Sequence, residues 1–159
     1  MRYFSKKIQA LCLVLGLLMI PAHALTAESA FRLSAQERLM IQMVNSDRAR
    51  YGRSALTPDI QLCALAREKS ADMVNNRYFA HHSPTLGSAS DLLRARGVSF
   101  LSVGENIARY RSLEHAQAAL LSSEGHRRNL LSRTYTHLGV GVALDSKGFV
   151  YVTQLFVRR

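Results

Sequence analysis

The chain is predicted to fold as α+β, with helices first and an antiparallel β-hairpin last. Three observations carry this. Ser34-Ala35-Gln36-Glu37 is a capping box, and Leu39, Met40, Met43 and Val44 follow it at helical spacing. Leu62, Leu65, Ala66 and Met73 lie on one side of a second helical stretch. Toward the C-terminus the period changes to two. Val140, Val142 and Leu144 alternate with small residues, and Phe149 to Val157 is rich in β-branched and aromatic types. Helices segregated from a hairpin read as α+β rather than as alternating βαβ units.

Taken in order, the first stretch stands outside the fold. Arg2, Lys6 and Lys7 precede a mostly apolar run from Ile8 to Ile20, too short to span a bilayer comfortably, and Pro21-Ala22-His23-Ala24 supplies an Ala-x-Ala signal. Residues 1–24 are therefore read as a secretory signal peptide cleaved after Ala24, residues 25–33 as a short mature lead, and 34–157 as a single domain. The protein is expected to be secreted or periplasmic.

The first helix is expected to end near Tyr51, with Gly52 as its C-cap. Thr57 is read as the cap of the second, with Pro58 at the first helical position, Asp59 on the dipole and the end near Asn76. Tyr78 to Gly87 is a loop carrying Phe79-Ala80-His81-His82-Ser83-Pro84, because Pro84 disfavours helix at Ser83. Ser88-Ala89-Ser90-Asp91 opens a short helix that Gly97 closes. Val98 to Val103 leads into Gly104-Glu105-Asn106-Ile107-Ala108, a loop and a strand. Ser112 caps a further helix, with Ala116, Ala119 and Leu120 inward. Ser122 or Ser123 caps the next, where Glu124 suits the positive end and His126 follows Gly125. Asp145-Ser146-Lys147-Gly148 joins the two final strands.

The whole chain carries a formal charge of +10, three units of which belong to the leader. A basic exported protein is drawn to anionic envelope polymers, lipopolysaccharide or lipid headgroups, including contact with a membrane surface, and the compartment argues against nucleic acid. Once the leader with Cys12 is removed, Cys63 stands alone and cannot form an internal disulfide. In Leu62-Cys63-Ala64-Leu65-Ala66 it reads as a buried small hydrophobe.

Three titratable groups fall at element ends: His81, Glu105 and His126. Two imidazoles and a carboxylate can hold a divalent metal, zinc above all, or Glu105 or a histidine can act as general base without one. Local spacing does not choose. His-Glu-x-x-His, Gly-x-Ser-x-Gly, a phosphate-binding glycine loop and Cys-x-x-Cys are all absent. His82 reads as solvated, His115 as exposed beside Glu114, and His137 as a loop residue. Asn106 is expected to bond backbone, Ser83 to turn the chain, and Arg127 and Arg128 to be solvated. Tyr151 and Gln154 must lie on opposite faces of their strand.

These residues together resemble a family. The ordered set Phe79-x-His81-x-Ser83-Pro84, Gly104-Glu105-Asn106-Ile107, Gly125-His126-Arg127-x-Asn129-Leu130-Leu131, Gly139-Val140-Gly141-Val142 and Thr153-Gln154-x-Phe156 is similar to the CAP superfamily (cysteine-rich secretory, antigen-five and pathogenesis-related proteins), in its short bacterial secreted branch. Met43-Val44-Asn45-Ser46-x-Arg48 matches that family's first helix. The resemblance implies an α-β-α sandwich, with a small mostly antiparallel sheet between helices, and a cleft where His81, Glu105 and His126 meet and can hold a divalent metal. Leu120 stands where the family often has Trp, and Glu124 where it often has Pro. Animal and plant members add a further cleft glutamate with no clear match here; Glu124 is read first as a helix-start charge and only second as a substitute for it.

The expectation is thus an exported, monomeric binding protein taking a small ligand or divalent metal in that cleft. One alternative is a metal- or Glu-dependent hydrolase of peptidoglycan or peptide, with Glu105 and His126 catalytic. Another is a lipid-binding module.

Overall fold

The structure, a computed structural model, describes residues 32–159; the expected leader and its cleavage site lie outside the described residues. Helix α1 is Ala35–Arg50, opened by the predicted capping box, and Gly52 follows its end at φ 63. Strand β1 is Thr57–Pro58, helix α2 Ile60–Asn75 and helix α3 Ala89–Ala95. Strand β2 is Ser102–Tyr110, helix α4 Leu113–Ser122 and helix α5 Glu124–Leu131. Strands β3, His137–Leu144, and β4, Val150–Arg158, form the predicted hairpin. No helix among the described residues is long and apolar enough to cross a membrane.

The sheet order is β1-β3-β4-β2, antiparallel except for the β1–β3 pair. On one face Met40, Val44, Leu113, Ala116, Leu120 and Leu130 of α1, α4 and α5 pack on Val140, Val152 and Phe156. On the other, Leu62, Leu65 and Ala66 of α2 and Leu92 and Leu93 of α3 pack on Leu155 and Val157. β4 is central and buried on both faces, so its apolar residues do not alternate with exposed polar ones, and its polar Thr153 and Gln154 are buried as well. The α-β-α sandwich follows from two helix layers needing one sheet to cover their apolar sides.

The Gly-Val-Gly-Val pattern of β3 has its reason here. Val140 turns toward the α1 layer, while Gly139 and Gly141 turn toward α2. With no side chain in the way, α2 lies directly on the strand. Ser70 takes up the space, its hydroxyl donating to the Gly141 carbonyl at 3.0 Å and meeting Thr153 Oγ1 at 2.9 Å.

Four expectations are corrected. Thr57 and Pro58 do not start α2. Thr57 N–H donates to the Thr136 carbonyl and Asp59 N–H to that of Leu138, which pins this pair to β3 as a short edge strand where proline is tolerated. Asp59 caps the helix instead, accepting from Leu62 N–H at 3.0 Å. His137 is not in a loop but opens β3. Neither serine caps α5 through its side chain. Ser123 holds the cap position without a side-chain bond, because α4 runs into α5 there, and Ser122 Oγ turns back to the Ala118 carbonyl. Cys63 is buried as expected, and burial pushes its thiol up to about 11, which keeps it inert.

Candidate functional site

β2 is an edge strand, so the two helix layers meet past its outer side. Glu105 lies opposite Leu155 and shares the α2 face; Asn106 lies opposite Gln154 and shares the other. The loop after α2 brings His81 from one layer, and α5 brings His126 from the other. Their ring centroids are 6.4 Å apart. Three residues spread from position 81 to position 126 are thus brought close together beside β2.

His81 Nδ1 lies 2.7 Å from Glu105 Oε1. A carboxylate only accepts, so Nδ1 carries the proton in that bond. The His81 side chain is 58% exposed and that of Glu105 only 6%. Two atoms in the cleft are buried without any hydrogen-bond partner: Glu105 Oε2 and His126 Nδ1. Unmet buried polar atoms are costly and rare, and they call for an explanation at the site that holds them. Beside His126 a cavity of about 260 Å³ is walled by Phe79, Ile107, Arg109 and Leu120.

The loop that carries His81 is held from beneath. Lys69 is 2% exposed and donates to the His81 carbonyl at 2.9 Å and to Tyr78 Oη at 3.1 Å. Asp72 accepts from Ser83 Oγ, Thr85 Oγ1 and Asn76 Nδ2, each at 2.6 Å, and from the Tyr78 hydroxyl. Burial lowers the Lys69 ammonium, against the pull of Glu105 and Asp72, and with the bond to Asp72 it pushes the Tyr78 phenol up to about 12. Ser83 is a turn residue, as expected, and also accepts from the Thr85 and Leu86 N–H groups. Lys69 and Asp72 escaped sequence reasoning. Lys69 had left a signal, because it falls one turn beyond Leu65 and Ala66 on the stripe that ends at Met73.

A second network holds α5 against the strand. Asn106 Nδ2 donates to the His126 carbonyl at 3.1 Å and to Gln154 Oε1 at 3.2 Å. Asn129 Nδ2 donates to Asn106 Oδ1 and to the Glu105 carbonyl. Gln154 donates on to Gln117, and Gln117 to Asp47 at 2.7 Å. Asn106 therefore bonds backbone as predicted, and it fixes His126 through the main chain. Tyr151 and Gln154 do face opposite ways: Gln154 enters this network, while Tyr151 meets Phe79 edge to face at 6.1 Å.

Glu124 does not enter the cleft. Its carboxylate is exposed and pairs with Arg128 at 2.6 Å, one turn along α5. Arg127 donates to the Leu121 carbonyl. His82 and His115 are exposed. Among the described residues no three His, Cys, Asp or Glu side chains are arranged to hold a metal ion as they stand. His81 is turned onto Glu105.

Burial, and then the neighbouring His81, hold the His126 imidazole below its ordinary value near 6.5. At neutral pH it is uncharged and one ring nitrogen can accept. The consequence for stability has a definite sign. As pH falls through about 6.5 the unfolded chain takes up this proton before the folded one, so stability drops, and the loss saturates below the folded-state value. In the presence of chelator, urea midpoints followed from about pH 8 to about pH 5 should fall less in His126→Gln than in the parent. Equal slopes would show that His126 is not desolvated.

The sequence profile of the Cysteine-rich secretory protein family matches residues 41–156. The chain is 39% identical over 117 residues to the uncharacterised protein YkwD of Bacillus subtilis (strain 168), covering 73% of this chain and 46% of that protein. It is similar to the crystal structure of an extracellular protein containing a SCP domain from Bacillus anthracis, at 39% identity and a TM-score of 0.71, over 78% of this chain and 40% of that one. It shares the fold of an outer surface protein from Borrelia burgdorferi, at 19% identity and a TM-score of 0.72, over 80% of this chain and 96% of that one. The chain spans less than half the length of the curated relatives it matches.

Proposed function

The chain belongs to the CAP superfamily, and on that premise we propose that it is an exported binding protein whose His81/Glu105/His126 cleft captures a small ligand or a divalent metal ion. One observation carries this: Glu105 Oε2 and His126 Nδ1 are both buried and both unmet. A single guest reaching the two atoms removes both penalties at once. The extracellular SCP-domain protein of Bacillus anthracis, 39% identical, supports export.

Zinc fits the donor chemistry, since two imidazoles and a carboxylate are ligands it prefers. Glu105 and His126 would offer the unmet atoms. His81 would join by leaving Glu105, which its exposure makes cheap. Bound there, the ion would supply Lewis acidity toward water or a carbonyl. The chain's own residues provide the rest: Lys69 and Asp72 hold the His81 loop, and Asn106 and Asn129 hold α5.

Zinc titration of the purified protein by calorimetry tests this. Glu105→Gln and His126→Ala are each expected to weaken zinc at least about tenfold. Unchanged affinity in both variants would remove the metal from the proposal. Turnover of peptidoglycan that disappears in both would turn the binding protein into a hydrolase, with neutral His126 and Glu105 as its acid–base pair.

A further inference from the structure

A second pocket, of about 480 Å³, opens where the C-terminal ends of α1 and α5 come together, and it shares no residue with the His81/Glu105/His126 cleft. Its walls include Arg48, Arg53, Arg133, Ser54, Thr57 and Tyr135, and no carboxylate. Arg48 is 2% exposed. Its Nε donates to the Ser54 carbonyl at 2.8 Å, and its Nη1 to the carbonyls of Leu130 and Ser132 at 2.7 and 2.9 Å. Arg53 Nε donates to the Leu131 carbonyl at 3.0 Å.

These bonds satisfy donors but supply little charge. The two helix C-termini contribute roughly half a negative charge each, against three guanidinium groups. None of the three arginines forms an ion pair among the described residues. Burial lowers Arg48, and the charge that acts on it is the like charge of Arg53. A buried cation without a counterion is a costly arrangement that an anion would relieve. Arg133 is exposed, with no hydrogen bond among the described residues, and stands at the rim as the third arm.

We propose that this pocket binds a phosphate ester, with the phosphoryl oxygens on Arg48, Arg53 and Arg133. Guanidinium groups pair with phosphate through parallel N–H donors, and the Ser54 and Thr57 hydroxyls add donors around a tetrahedral group. The volume is that of a site for a small organic ligand, so the alcohol part of the ester has room beside the phosphate. This site stands apart from the cleft, and zinc affinity has no bearing on it.

The test is calorimetric titration of the purified protein with glycerol 3-phosphate, with acetate at equal ionic strength as control, and flotation with phosphatidic acid vesicles against phosphatidylcholine vesicles. Glycerol 3-phosphate is expected to bind and to raise the melting temperature, acetate to do neither, and Arg133→Glu to weaken the ester at least about tenfold. Arg48→Met should do the same; if it fails to fold, exposed Arg133 carries the test. Binding of vesicles alone, lost in Arg133→Glu, would assign the phosphate to a lipid headgroup and still support the site. No binding in either arm, or binding that Arg133→Glu leaves intact, overturns the proposal.

Discussion

Gly141→Ala is expected to lower the stability of the domain by about 3 kcal/mol or more, enough to leave a marginal fold largely open. A Cβ at this position would lie closer than 3.0 Å to the backbone of Ala66 and Arg67, a separation that real Cβ atoms essentially never show. The obstacle is helix backbone, not the end of a flexible side chain. The helix cannot yield locally, so α2 must lift from β3. That movement would open the contacts of Leu62, Leu65 and Ala66 with Leu155 and Val157 and break the Ser70 bond to the Gly141 carbonyl. Gly139→Ala should act in the same direction, since its Cβ would meet the backbone and Cβ of Leu62 inside 3.0 Å. Gly125→Ala is the control: its Cβ would find only Arg128 Nη2 at 3.8 Å, and alanine is the better helix former, so stability should hold or rise slightly. Urea denaturation of the three variants reads the series. A loss below about 1 kcal/mol in Gly141→Ala would mean that α2 is not seated on the strand.

Asp72→Ala should produce the second large effect, on the order of 3 kcal/mol, together with loss of the His81 position. One carboxylate gathers Tyr78, Ser83, Thr85 and Asn76, and three of these belong to the loop on which His81 sits. Burial works to raise this carboxyl, but the bonds from Ser83, Thr85, Tyr78 and Asn76 win and hold it low. Its stabilisation is therefore full above the ordinary aspartate range and disappears as pH falls through the lowered folded-state value. Asp72→Asn keeps one acceptor oxygen and should lose about half as much. The readout that separates this from plain destabilisation is the His81 ring resonance in folded protein: it should shift and broaden in Asp72→Ala at a temperature where both proteins are folded. An unmoved resonance would show that the loop is held by other contacts.

The local elements were legible because their signals are local. Capping boxes at Ser34 and Ser88, and glycines after the helix ends at Gly52 and Gly97, act over three or four residues. Thr57-Pro58 misled because its helix-start pattern was genuine, but β3 offered two backbone partners and took the pair into the sheet. Ser123 does hold the N-cap position of α5, but its side chain makes no cap bond, and the local pattern carried no sign that α4 ends at the same residue.

Residue order alone was enough for the succession of helices and hairpin, the buried thiol of Cys63, the family, and the choice of His81, Glu105 and His126 as candidates. Packing in three dimensions was needed to learn that His81 and Glu105 pair, that Glu105 Oε2 and His126 Nδ1 are left unmet, and that Glu124 turns away to Arg128. The same holds for Arg48, buried against a pocket whose lining holds no carboxylate. Propensity and periodicity report the few residues within reach of one helical turn or one strand pair. Distances between side chains far apart in the chain depend on how the two helix layers close around the open edge of β2, and no local pattern encodes that closure.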